Sequence, residues 1–147
     1  MSTSKNKASF HIHQPAEELF PLFSAEGEKL WIPDFDYINI MGSTEMHEDY
    51  IFLTPHQPQD IWLVKRYEPS SYFVQFYMVE PYDLVGIITV QCKPETAAMT
   101  EVEVTYEFIG LSEAGDDYVK GRTPEGLKAY MEKWRVWLEG YFEAQPE

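Results

Sequence analysis

The chain has 147 residues, 44% of them hydrophobic and 24% charged, which is the balance of a folded globular protein and excludes a disordered one. Its 25 acidic residues outnumber 11 basic ones and leave a formal charge of −14 with no basic run. Nucleic-acid and anionic-membrane partners are disfavoured on that ground, because phosphate binding draws on clustered Lys and Arg. The one cysteine, Cys92, excludes an internal disulfide and fits a reducing compartment.

The elements follow in chain order. Residues 1–7 read as a polar tail without the apolar core of a signal peptide. Ala8, Phe10 and Ile12 then alternate with Ser9, His11 and His13 as a first strand. Pro15, Glu17 and Glu18 open a helix whose buried side is Leu19, Phe20, Leu22 and Phe23. Pro21 has no amide hydrogen to give, so this helix is short or kinked. Ser24 caps a second short helix ending at Leu30 and Trp31, which Pro33 stops.

Extended segments come next at 35–41, 47–54, 60–68, 72–79, 84–93 and 99–108, rich in Val, Ile, Tyr, Phe and Thr. Their short links favour an antiparallel meander, since parallel neighbours need a long crossover. The last of them alternates most cleanly: Val102, Val104, Tyr106 and Phe108 share one face, and Glu101, Glu103, Thr105 and Glu107 the other. Ser112 caps a helical turn that Gly121 ends, and Thr123-Pro124-Glu125 opens a long helix reaching Phe142. On it Leu127, Tyr130, Met131, Trp134, Trp137, Leu138, Tyr141 and Phe142 fall within roughly 140° of arc. So aromatic a helix needs a broad, concave partner, which a curved antiparallel sheet supplies. With no linker, no repeat and no run near the ~18–20 apolar residues of a membrane span, residues 1–147 are expected to be one cytoplasmic domain without membrane insertion.

Aromatic residues make up 16% of the chain. Rigid rings suit the lining of a cavity, and the alternative is a solid core built of Tyr and Phe. Trp31, Tyr37, Trp62, Tyr77, Tyr106, Tyr130 and Trp134 are the candidate lining residues, each offering an apolar body with one polar atom. Arg66 shares strand parity with Trp62 and Val64: facing inward it is a polar anchor, facing outward an ordinary surface charge. Gly86 lies on the parity of Leu84, Ile88 and Val90, where its missing side chain leaves room. His11 and His13 share a face with no third ligand near them, and the chain has no nucleophile elbow, glycine-rich phosphate loop or zinc spacing. No catalytic residue, metal or cofactor is expected.

The order strand, two short helices, six strands and a long terminal helix resembles the START-like superfamily, also called SRPBCC. That group includes birch-pollen-allergen-like proteins and bacterial polyketide cyclases. The stretch from Phe10 to Phe20 is similar to the superfamily's opening. Gly27-Glu28-Lys29-Leu30-Trp31-Ile32-Pro33, Ile61-Trp62-Leu63-Val64, Val104-Thr105-Tyr106, Gly110-Leu111-Ser112-Glu113-Ala114-Gly115 and Trp134 resemble a bacterial subgroup, and the whole likeness spans about Ser9 to Phe142. It implies an α+β helix-grip fold, with seven antiparallel strands curved around the carboxy-terminal helix and a cavity between them. Three functions stay open. The first is binding of a small hydrophobic or aromatic molecule, the second a cyclase- or dehydrase-type enzyme acting on such a molecule. The third is a co-chaperone-like interaction domain with a collapsed interior. Without a recognisable acid–base constellation, a non-enzymatic binder ranks first.

Overall fold

The computed structural model describes residues 1–145. β1 (Thr3–Ile12) leads into α1 (Ala16–Leu19), a 3-10 turn at Phe20–Leu22 and α2 (Ala25–Glu28). The strands β2 (Ile38–Asn39), β3 (Ile51–Leu53), β4 (Ile61–Glu68), β5 (Phe73–Glu80), β6 (Leu84–Thr96) and β7 (Met99–Gly110) follow, and then α3 (Glu113–Lys120) and α4 (Pro124–Ala144). The seven strands form one antiparallel sheet in the order β1-β7-β6-β5-β4-β3-β2, with α4 lying against β1. This is the expected α+β helix-grip architecture.

Local chemistry accounts for the helix ends. The hydroxyls of Ser24, Ser112 and Thr123 accept hydrogen bonds from the Gly27, Gly115 and Gly126 amides, so each satisfies a donor that its helix leaves unpaired. Pro21 converts the first helix into the 3-10 turn, as its missing amide requires. α2 presses against that turn so tightly that a Cβ on Gly27 would lie 2.4 Å from the Pro21 carbonyl oxygen. Only glycine fits this crossing.

Two expectations need correction. Residues 3–7 are not a tail: they continue β1, and Thr3 pairs with Ile109 of β7. Their side chains are polar because β1 is an edge strand, but their backbone groups are used in the ladder. The two extended segments at 35–41 and 47–54 shrink to Ile38–Asn39 and Ile51–Leu53. Positive φ at Asp34, Gly42 and Asp49 breaks the extended run there. Side chains also take over ladder bonds: Asn39 Oδ1 accepts from the Met41 amide, and Met41 Sδ from the Ile51 amide.

The core runs along the inner sheet face and under α4. Val64, Val74, Val90, Cys92, Val102 and Val104 are fully buried in the sheet, facing Leu127, Met131, Trp134 and Leu138. Burial pushes the Cys92 thiol up to about 12, so it is an inert packing residue, as its strand parity predicts.

Candidate functional site

The core does not close along its whole length. Between the sheet, α4 and the loops after α2 lies an open cavity of about 610 Å³, within the range of small-molecule sites. Its floor is two cross-strand rows. Trp62, Met78 and Phe108 belong to one, in which β4 pairs with β5, β5 with β6 and β6 with β7; Phe76, Ile88 and Tyr106 belong to the next. Tyr130, Trp134 and Leu127 of α4 form the roof, and Ile32 and Phe35 one side.

Four of the expected aromatic residues line this space: Trp62, Tyr106, Tyr130 and Trp134. Trp134 is 4% exposed, stacked on Phe23 at 5.9 Å and edge-on to Trp31 and Tyr130, and its indole N–H has no partner among the described residues. Tyr106 and Tyr130 meet edge to face at 6.3 Å. Burial, reinforced by Tyr130, Glu28 and Tyr118, pushes the Tyr106 phenol well above its ordinary value, so its hydroxyl stays protonated and can donate.

The other candidates lie elsewhere. Trp31 sits behind Trp134 and is held by an indole hydrogen bond of 2.8 Å to the Leu22 carbonyl, so its polar atom is already used. Tyr37 turns its hydroxyl to the Glu26 carboxylate and its ring edge to Phe52. Tyr77 occupies the parity opposite Phe76 and Met78, on the outer sheet face. Arg66 points outward, pairing with Glu68 and lying over the Phe73 ring. Its parity with Trp62 fails because the register slips after Val64: Val64 pairs with Phe76, but Arg66 pairs with Gln75. Gly86 leaves no room either. A Cβ there would meet Phe108 and Met78 at 3.0 and 3.2 Å, so those side chains already fill its space.

Sequence reasoning missed the polar part of the wall. Glu28 ends α2 and lines the cavity with no hydrogen-bond partner for its carboxyl among the described residues. Burial pushes it up from 4.5 to about 8, so near neutral pH it is mostly the uncharged acid. One signal was available: Glu28 precedes Trp31, Ile32 and Phe35 by three, four and seven residues, which puts a lone carboxyl on an apolar helical stripe. Asp60 and Glu80 line the cavity farther along, also raised by burial; Asp60 raises Glu80 further, and His56 lowers both. His56 Nε2 lies 3.6 Å from Asp60. Asn6, Arg122 and Thr123 also line the cavity, with the Arg122 guanidinium 4.2 Å from the Tyr118 ring centre.

No family model matches the sequence, and no curated protein matches it. Solved structures do. Ara h 8.0201 superimposes with a TM-score of 0.70 at 12% identity, covering 98% of this chain and 100% of its own. Norcoclaurine synthase from Thalictrum flavum, in complex with dopamine and hydroxybenzaldehyde, gives 0.68 at 12% over 99% and 90%. The di-domain ARO/CYC protein BexL from the BE-7585A biosynthetic pathway gives 0.67 at 12% over 92% of this chain and 46% of that one. At such identities the likeness is one of fold alone, and the fold is the helix grip that the resemblance to START-like proteins leads one to expect.

Proposed function

We propose that this protein binds a small apolar or aromatic molecule in the cavity between the sheet and α4. One observation carries the reading: the aromatic interior stays open over about 610 Å³ instead of packing solid. An interaction domain with a collapsed interior has no need of such a space. Ring faces from Trp62, Tyr106, Tyr130 and Trp134 supply the apolar contact, and the Tyr106 hydroxyl and Glu28 carboxyl fix orientation. The neighbour solved with dopamine and hydroxybenzaldehyde holds small aromatic molecules in the same fold, which is consistent with this use.

A hydrophobic fluorescent probe is expected to bind the folded protein saturably and to quench tryptophan emission. Ile88, buried and in the cavity floor, is the position at which to fill the space. Ile88→Trp is expected to abolish probe binding while unfolding stays cooperative. Equal binding by that cooperative variant, or none by the wild type, sinks the reading.

A second reading, proton transfer on the bound molecule, is favoured by Glu28 alone. A carboxyl near 8 on the same cavity wall as a tyrosine hydroxyl has, once ionised at alkaline pH, the pairing that abstracts a proton next to a polarised carbonyl. It predicts deuterium exchange next to the carbonyl of phenylacetone, lost in Glu28→Gln.

A further inference from the structure

We propose that the occupant of this cavity carries a protonated amine on its aromatic or apolar body, seated between the Glu28 carboxyl and the rings of Tyr106 and Tyr130. The inference rests on the binding reading above and adds the ligand's charge to it. Among the described residues, the wall holds three carboxyls, Glu28, Asp60 and Glu80, against the single guanidinium of Arg122. That guanidinium lies over the ring of Tyr118 on α3, and burial is the one cause that shifts Glu28. The charge of −14 over the whole chain adds a field that draws cations toward the mouth.

Each alternative ligand charge leaves something unsatisfied. An anion would enter a space with three carboxyls and one cation. A neutral ligand would leave Glu28 as the uncharged acid, held off its ordinary ionised form by burial. An ammonium relieves both problems, since it stabilises the carboxylate by direct pairing and is attracted by the negative faces of the surrounding rings.

The groups around Glu28 make this a proton-linked event. Tyr106 of β7 is within electrostatic reach of Glu28, and Tyr130 of α4 and Tyr118 of α3 are within reach of Tyr106; Asp60, Glu80 and His56 act on one another as a separate group. Tyr106, whose phenol burial holds well above its ordinary value, does not compete for the proton near neutral pH. Burial holds the empty Glu28 mostly protonated at pH 7, with its value near 8. An arriving ammonium favours the carboxylate, so the Glu28 proton leaves to solvent and no covalent bond is made or broken.

The test is calorimetric titration of the full chain with 3-phenylpropylamine, 3-phenylpropan-1-ol and 3-phenylpropanoate, three probes of nearly one shape and different charge. The amine is expected to bind at least ~10-fold more tightly than the alcohol, and the carboxylate to bind most weakly of all. Repeating the amine titration in buffers of different ionisation enthalpy is expected to give close to one proton released per ligand at pH 7, and none for the alcohol. Glu28→Gln is expected to erase both the preference and the proton release, with alcohol binding by the same variant as the reference against which the loss is read. Glu80→Gln is expected to keep the proton release, which separates the two carboxyl sites. Equal affinity for amine and alcohol, or a preference that survives Glu28→Gln, overturns the proposal while the binding reading stands. If none of the three probes binds and the fluorescent probe also fails, the binding reading falls and takes this one with it.

Discussion

Glu28 is the residue whose environment differs most from what its type prefers. A carboxyl raised from 4.5 to about 8 is protonated in the folded state over a pH range where the unfolded chain has already lost the proton. Folding therefore takes up a proton there, and stability falls as pH rises from about 4.5 through about 8. Glu28→Gln is expected to leave stability nearly unchanged at pH 4. At pH 9 it should raise stability by a few kcal/mol, with an upper limit on the order of 5 from 1.36 kcal/mol per pKa unit. Urea midpoints at the two pH values decide it, and equal shifts at both contradict the burial of the carboxyl. Trp134 stands in the opposite case, a large ring in good contact with Phe23, Trp31 and Tyr130. Trp134→Ala is expected to cost about 3 kcal/mol, the low end for such truncations, because the residue already borders an open space. An unchanged denaturation curve would remove Trp134 from both core and wall.

At the scale of elements, α2 and α4 hold the cavity open from two sides. Gly27 lets α2 cross the Phe20–Leu22 turn, and the chain continues from that crossing straight into Glu28. Gly27→Ala must push α2 off backbone atoms and is expected to cost roughly 1–3 kcal/mol, as overpacking does. Probe affinity should fall with it, because Glu28, Ile32 and Phe35 move together. Thr123→Ala, which removes the cap of α4, is expected to cost about 1 kcal/mol in the urea midpoint. These elements were also the legible ones. The proline, the capping hydroxyls and the aromatic stripe of α4 are local signals, and alternation along β7 sorts its two faces without help from the rest of the fold. Where legibility failed, the cause was not local. The slip after Val64 reverses the facing of Arg66, and nothing in Val64-Lys65-Arg66 announces it. The β2 and β3 ladders gave way to bonds accepted by side chains, Asn39 Oδ1 from the Met41 amide and Met41 Sδ from the Ile51 amide, and the second pair meets only in the folded arrangement. Likewise Asp60 begins the extended segment at 60–68 and Glu80 follows the one at 72–79, and nothing in either stretch shows the cavity beside them.

Over the whole molecule, a charge of −14 sets the chain against itself. The ion pairs of its few bases, such as Lys93 with Glu103, are exposed and relieve little of this. Raising salt from about 0.01 to 0.1 M shortens the screening length from about 30 to 10 Å and damps the repulsion. The melting temperature is expected to rise over that range, and a fall would mean that the ion pairs outweigh the net charge. The sheet order adds a constraint of another kind. β1 is paired along its length only with β7, from Thr3 opposite Ile109 to Ile12 opposite Thr100. During synthesis β1 therefore leaves the ribosome long before the strand that will cover it, and stays an unpaired edge until that strand emerges. The meander from β4 to β7 can assemble hairpin by hairpin as it emerges, but closing β1 onto it must wait for β7, the last strand of the sheet. The first strand of this sheet to be made is among the last to find its neighbour.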